Sequence, residues 1–320
     1  MSGTVPKAGW ETGSNAALLA PLGLCVTALL WGGMIPISHS LVHQVYNPVF
    51  LATLRYIAPL PVLLAMCLAF ERRWPFSRDL PWPQLLWLGL SMAIFSLLFA
   101  YGVLLSEPVR AAIVMSSNPL LATILAKAMY RTPLVRGFWP ALVAAIIGGA
   151  MVALDAAGPR RAAAGGPPVP YLGEMMLITA NLVWVWYSLK AQQWLVPRRM
   201  SQLRISLLTT FTGCLVMLAV LAVMEPVSPG RLPQSWPDGG TVLMILWMGV
   251  GAAGIAMALW NYGVSRVGVP VASIYGNLAP VFSVAIATMM FGASLSLQQL
   301  FGGAVILGGI VMMQWQQLRR

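Results

Sequence analysis

Apolar residues fill this chain in long blocks, and polar residues fall between the blocks rather than alternating within them. A membrane's hydrocarbon core, ~30 Å thick, takes about 20 apolar residues to cross as a helix. Ten blocks of roughly that length are present, at 16–38, 48–70, 82–105, 108–128, 134–154, 171–195, 203–224, 241–263, 270–292 and 297–318. They predict an all-α membrane protein with ten transmembrane helices, because a helix satisfies its own backbone in lipid. Little chain is left for a separate soluble domain. Residues 1–15 are expected to be a mobile cytoplasmic tail. The Ala-, Gly- and Pro-rich stretch 155–170 is expected to be a linker on the outer side.

The pattern is written twice. Tyr101 to Pro119 reads YGVLLSEPVRAAIVMSSNP, and Tyr262 to Pro280 reads YGVSRVGVPVASIYGNLAP. Leu88-Gly89 precedes the first copy as Met248-Gly249 precedes the second. Gly148-Gly149 follows the first as Gly308-Gly309 follows the second. The halves are therefore expected to be repeat 1 (16–154, helices one to five) and repeat 2 (171–320, helices six to ten). Five spans is an odd number, so the second repeat enters the membrane from the other side. The two become inverted repeats about an axis in the membrane plane, the arrangement that supports alternating access. In this reading the first block, equivalent to the sixth, is a span; it is also long for the core of a cleavable signal peptide.

Composition agrees with the pattern. The chain is 59% hydrophobic and 8% charged, with mean hydropathy +0.79; soluble domains carry roughly a quarter charged residues. The net charge of +11 is not a nucleic-acid signature. With both termini cytoplasmic, 14 Lys and Arg fall inside and four (Arg110, Arg160, Arg161, Arg231) outside, so the basicity sets topology. Cys25, Cys67 and Cys214 all lie within apolar blocks and read as small core residues; no metal site is expected.

Polar side chains at membrane depth are costly unless paired or wetted, which makes each a functional candidate. The fourth span carries Ser116, Ser117 and Asn118 before Pro119. The ninth carries Ser273, Tyr275 and Asn277 before Pro280. Both prolines free a backbone carbonyl and bend the helix, and free backbone groups at mid-depth can hold a zwitterion. The other reading is helix–helix glue at inherited kinks. In the sixth span Asn181, Trp184 and Ser188 share one face, and the first span supplies Trp31. Such rings either stack on an aromatic substrate or pack between helices. Tyr101 and Tyr262, repeat equivalents at opposite membrane faces, are candidate gates together with Pro119 and Pro280; alternatively, Tyr-Gly is a packing device. Arg55 lies inside the second span. It can snorkel outward, bind a substrate carboxylate, or form a charge pair with Glu107 or Glu174. His39 and His43 fall in the first outer loop.

The sequence resembles the drug/metabolite transporter superfamily, in its ten-helix EamA-type branch, over nearly its whole length. The residues that carry the resemblance are Trp31-Gly32, Pro48 with Arg55, Asn118-Pro119, Trp184, Trp260-Asn261-Tyr262-Gly263, Ala279-Pro280, Gly302-Gly303 and Gly308-Gly309. His39 stands where many relatives have a lysine. The resemblance implies a multi-pass protein of the bacterial inner membrane that exports amino acids, notably aromatic ones, or similar small metabolites.

What is absent narrows the mechanism. All eight acids lie at span ends, in loops or in the tail, whereas exchange of cationic drugs for protons needs a mid-membrane carboxylate. No phosphate loop, metal cluster or nucleophile with a base is visible. The expectation is therefore a secondary exporter acting on a small-molecule substrate in a lipid bilayer, without cofactor. An importer or exchanger of another zwitterionic or cationic metabolite is the runner-up, and an intramembrane enzyme a remote alternative. Small pairs four apart (Ala144/Gly148, Ala145/Gly149, Ala304/Gly308) are expected to pack the fifth and tenth spans onto neighbours or onto a second protomer, leaving monomer or homodimer open.

Overall fold

A computed structural model describes residues 14–44, 48–72, 74–77, 79–105, 114–115, 118–131, 134, 136–156, 171–224, 238–291 and 296–318. Among these the chain is helical throughout, without strands. The helices are α1 (Ser14–Gln44), α2 (Pro48–Ile57), α3 (Pro59–Glu71), α4 (Trp82–Leu105), α5 (Asn118–Tyr130), α6 (Phe138–Ala156) and α7 (Leu172–Leu195). They continue with α8 (Gln202–Met224), α9 (Gly239–Leu246), a π-helical turn (Trp247–Ile255), α10 (Ala256–Val267), α11 (Val269–Gly276), α12 (Ala279–Phe291) and α13 (Leu297–Leu318).

Among the described residues six segments are long and apolar enough to cross a bilayer: Val49–Glu71, Trp82–Leu105, Leu172–Arg198, Gln202–Met224, Gly239–Val267 and Val269–Met290. These match the second, third and sixth to ninth expected spans. Leu18–Met34, Phe138–Met151 and Leu297–Met313 are shorter apolar helices at the first, fifth and tenth positions. The fourth expected span, the N-terminal tail and the linker lie wholly or partly outside the described residues.

Several spans are broken, and the breaks have physical causes. Pro59 lacks an amide proton, so α2 gives way to α3 at Ala58, whose own N–H still reaches Leu54 O at 2.9 Å. Between α11 and α12 the amides of Asn277 and Leu278 reach back only three residues, to Ile274 O (3.1 Å) and Tyr275 O (3.0 Å), just ahead of Pro280. The π-helical turn, WMGVGAAGI, has glycine or alanine at five of its nine positions, which tolerate its wider winding.

Packing follows the duplication. α4 lies against α7, and α10 against α1; α5 lies against α7, and α11 against α1. Exchanging the halves maps each contact onto its partner. The repeated Tyr-Gly pairs sit at the same joint in each half. A Cβ on Gly102 would come within 2.8 Å of Leu177 Cγ in α7, and one on Gly263 within 2.5 Å of Leu24 Cδ2 in α1. Glycine is needed at both places for the helices to approach.

The fifth and tenth positions, α6 and α13, pack on one another within the protomer. Gly148 faces the Gly302 carbonyl, and a Cβ on Gly309 would lie 2.7 Å from Ala144 Cβ. Gly308, its neighbour, faces open space. Two adjacent glycines should therefore respond to very different degrees. Gly309→Leu is expected to destabilise the folded protein by about 1–3 kcal/mol through overpacking, and Gly308→Leu by less than about 0.5 kcal/mol. Thermal unfolding of both variants in detergent measures the difference.

Candidate functional site

Four aromatic rings meet at the centre of the bundle. Trp31 comes from α1, Phe95 from α4, Trp184 from α7 and Trp260 from α10. Trp31 stands edge-on to Trp184 with centroids 5.3 Å apart, and lies 5.1 Å from Trp260. Trp184 is 5.5 Å from Trp260, 5.2 Å from Phe95 and 5.7 Å from Tyr187. Phe99 stacks on Phe95 at 5.8 Å. Such pairs contribute about 0.5–1.5 kcal/mol each beyond area burial. Two of the four helices belong to each repeat, so the cluster sits on the seam between halves.

Hydrogen bonds fix the rings. The Trp31 Nε1–H donates to Ala252 O at 3.0 Å, and the Trp247 Nε1–H donates to Leu30 O at 3.2 Å. The first bond exists because of the π-helical turn. The Ala256 amide reaches back five residues to Gly251 O, not four to Ala252 O, and the Ala252 carbonyl accepts the indole. Trp260 Nε1–H donates to Ser188 Oγ at 3.1 Å.

One end of the bundle carries Arg72, Arg198, Arg199, Arg204 and Arg266 at helix ends and short turns. Between the ring cluster and this basic end the interior is closed by buried polar pairs. The Tyr187 hydroxyl meets Thr209 Oγ1 at 3.0 Å, and Asn261 Nδ2–H donates to Ser206 Oγ at 2.9 Å. Ser188, Ser206, Thr209 and Asn261 are all fully buried. Tyr56 ties α2 to α4, donating to Met92 O at 2.8 Å with Ser96 Oγ at 2.9 Å.

Asn261 Oδ1, Gln192 Nε2 and Gln202 Oε1 on this side are buried without a partner among the described residues, and further such atoms lie towards the opposite end. Asn181, one turn from Trp184, donates through Nδ2–H to Val114 O at 3.2 Å, while its Oδ1 is buried without a partner. Asn118 Oδ1, at the start of α5, is likewise buried and unpartnered, as is Ser273 Oγ in α11. Buried acceptors and hydroxyls are ordinarily satisfied, so these atoms are open to a ligand.

The other sequence candidates fall as follows. Trp31, Trp184 and Asn181 are brought together. Asn277 Nδ2–H donates to Ala145 O of α6 at 3.2 Å, which places it at a helix–helix joint. Tyr275 is buried in α11. Pro119 occupies the first turn of α5, and its carbonyl accepts from Thr123 Oγ1 at 2.7 Å; Pro280 occupies the first turn of α12. Tyr101 is partly buried near the end of α4, and Tyr262 has the Arg266 guanidinium over its ring at 5.4 Å. Among the described residues the one polar contact of Arg55 is Nη2 to Met34 Sδ at 3.8 Å. Ser116 and Glu107 lie outside the described residues. Glu174 is in the first turn of α7. No group of three or more His, Cys, Asp or Glu able to hold a metal occurs among the described residues.

Sequence reasoning used Trp260 only as a family marker and passed over Phe95. The signal was present: Trp260 and the buried Asn261 immediately precede the second Tyr-Gly copy.

Comparison with known proteins places this geometry. The model of the EamA-like transporter family matches twice, over residues 18–154 and 171–315. YetK of Bacillus subtilis (strain 168), an uncharacterised transporter, is 24% identical over 293 residues, covering 91% of this chain and 85% of its own length. An aromatic amino acid exporter, YddG of Ancylobacter novellus, is 26% identical over 231 residues, covering 72% of this chain and 75% of its own. A solved crystal structure superposes with a TM-score of 0.74 at 21% identity, covering 97% of this chain and all of that one, a likeness of fold.

The indole–hydroxyl bond behind the ring cluster gives a direct test of how tightly the cluster is held. Ser188→Ala leaves the buried Trp260 N–H unsatisfied and is expected to cost about 1–3 kcal/mol in unfolding free energy. Adding Trp260→Phe to Ser188→Ala removes the orphaned donor, so the loss attributable to it should disappear in a double-mutant cycle.

Proposed function

Because the chain belongs to the EamA-like transporter family, and is thus a multi-pass membrane protein of that family, we propose that it is a secondary exporter of amino acids, aromatic ones among them, or of similar small metabolites. It works by alternating access between two inverted five-helix repeats, with ten spans and both termini in the cytoplasm of a bacterial cell. The observation that carries the reading is the cluster of Trp31, Phe95, Trp184 and Trp260 on the seam between the repeats. An apolar floor of ring faces, bordered by the unpartnered Oδ1 atoms of Asn118 and Asn181, suits a flat side chain joined to an ammonium group. The likeness to an exporter of aromatic amino acids supports the substrate class.

In this reading the basic end is cytoplasmic by the positive-inside rule, and the buried pairs around Tyr187, Ser188, Ser206 and Asn261 close the inward path. Binding the substrate against the rings buries its apolar side chain. Exchanging the conformations of the two repeats then opens one face and closes the other. Tyr101 and Tyr262, at equivalent joints on opposite sides, close the two faces in turn, with the breaks at Pro119 and Pro280 taking up the bending. Glu71 and Glu174 lie at helix ends, and the reading is facilitated flux down a substrate gradient, with proton coupling through Glu107, Glu174 or His39 as the alternative.

Two measurements test this. Proteoliposomes should show saturable flux of labelled phenylalanine or tryptophan, unchanged by an imposed pH gradient. Trp184→Ala should raise the half-saturating concentration for aromatic substrates about 3- to 10-fold, the loss expected for one ring contact. An absence of flux for every amino acid would overturn the substrate class. Flux seen only with a pH gradient would overturn the facilitated mechanism. For the gates, Tyr101→Ala and Tyr262→Ala should each raise labelling of single cysteines on its own side of the membrane; unchanged labelling and transport in both would end the gating role.

A further inference from the structure

Arg55 carries a charge that nothing among the described residues balances. Its place on α2 is defined by its neighbours. Leu51, one turn away, packs with Ile37 and Leu41 of α1 and with Met248. Tyr56 points to α4, bonding Met92 O and Ser96 Oγ. At about 100° per residue, Arg55 falls between these two directions, in the interior angle between α1 and α4. Among the described residues its Nη2 meets only Met34 Sδ, a weak acceptor, and its buried Nε has no partner. A guanidinium does not shed its proton, so it remains a cation at depth, where an unpaired charge is expensive. Nor does it run along α2 to the membrane surface: it turns sideways onto α1. No carboxylate among the described residues touches it; Glu107 lies outside them.

The surroundings say what would complete it. Met34 lies one turn from Trp31 on α1, roughly 5 Å towards the end opposite the basic one. Asn181 lies one turn from Trp184 in the same direction on the antiparallel α7. The Trp31 and Trp184 rings are 5.3 Å apart. Arg55 and Asn181 thus flank one layer, directly above the aromatic floor. Asn118 opens α5, which packs against the same helix as Asn181. The layer holds unpartnered donors on the α2 side and unpartnered acceptors on the α5 and α7 side.

We infer that Arg55 is the carboxylate anchor of the transported molecule, and that the substrate class is an aromatic or large apolar monocarboxylate, amino acids included. The inference rests on the reading of the aromatic floor as the substrate site. The guanidinium takes the carboxylate through two parallel N–H donors. The floor takes the side chain, and the Asn118 and Asn181 oxygens accept from an ammonium group where there is one. A molecule with the same ring and amine but no carboxylate leaves Arg55 uncompensated and binds poorly.

The test uses the purified full-length protein and four probes: L-phenylalanine, 3-phenylpropionate, L-phenylalanine methyl ester and phenethylamine, each titrated for ligand-induced thermal stabilisation in detergent. The two carboxylates should bind the wild type about 10- to 100-fold more tightly than the ester and the amine, the range for a charged hydrogen bond. Arg55→Gln should abolish that ratio while leaving the weak binding of ester and amine in place, and Arg55→Lys should keep part of it. The ratio is read within the folded fraction, and if Arg55→Gln does not fold, the wild-type comparison of acid with ester decides. Equal binding of acid and ester by the wild type would overturn the inference while leaving the floor as the substrate site. So would discrimination that survives in Arg55→Gln. A ratio unchanged in both variants, with Glu107→Gln as unstable as Arg55→Gln, would mark a structural ion pair instead. Binding of none of the four would overturn the floor itself and the anchor with it.

Discussion

Two indole–carbonyl hydrogen bonds join the halves of this protein at its centre. Trp31 donates to Ala252 O, and Trp247 donates to Leu30 O. In hydrocarbon the alternative to each bond is not a bond to water but an orphaned polar group, which costs far more than the bond itself yields in solution. The pair therefore locks α1 against the π-helical turn in one register. That register places Trp31 over Trp184 and Trp260, and the rest of the ring cluster is built on it. The π-helical turn is not an ornament of the eighth span: without the shift of the Ala256 amide to Gly251 O, the Ala252 carbonyl would be taken up by its own helix.

Polar matching is incomplete on both sides of the cluster. On the basic side Tyr187 meets Thr209, Ser188 meets Trp260 and the Asn261 amide N–H meets Ser206, while Asn261 Oδ1, Gln192 Nε2 and Gln202 Oε1 are buried without a partner among the described residues. On the other side the same holds of Asn118 Oδ1, Asn181 Oδ1, Ser273 Oγ and Arg55 Nε. What sets the second side apart is that one of its groups, Arg55, carries a full charge. In the proposed reading, groups that bond a ligand in one state lack internal partners in the state that receives it, and the hydrogen bonds of the basic side are exchanged when the repeats trade shapes.

How much of this could be read from the chain differs residue by residue. The duplication was plain in the two Tyr-Gly-Val copies, and Gly102 and Gly263 do occupy the same helix joint in each half. The face shared by Asn181, Trp184 and Ser188 follows from helical spacing alone, and α7 presents it inward. The small residues of the fifth and tenth positions announced close packing but not its partner; Gly148 and Ala144 of α6 meet α13 at Gly302 and Gly309, whereas the Ala304/Gly308 pair faces outward. Other features were illegible for a definite reason. A π-helical turn has no sequence signature beyond small residues, which GAAG shares with ordinary helices. Trp247 and Trp260 sit nine and four residues either side of register-changing backbone, so no constant spacing relates them to Trp31. Asn277 was grouped with Ser273 by its spacing, yet the tight turn at Asn277–Leu278 swings it onto the Ala145 carbonyl.

Arg55 shows how sequence and structure combine. From the chain alone it had three fates, and spacing cannot choose among snorkelling, pairing and ligand binding, since all three put an arginine two turns into a span. Side-chain direction narrows them. A snorkelling arginine would lie along its own helix towards the interface; this one crosses to Met34. No carboxylate among the described residues reaches it, and its Nε is buried without a partner there; Glu107 lies outside them, and the acid–ester comparison separates pairing from ligand binding. The charge cannot be removed by titration, and the nearest matched layer is formed by rings and amide oxygens that carry no negative charge. A cation, an apolar floor and amide acceptors within about one helical turn of one another are the three contacts that a zwitterion with an aromatic side chain requires. The chain supplies them from six helices, α1, α2, α4 and α5 of the first repeat and α7 and α10 of the second.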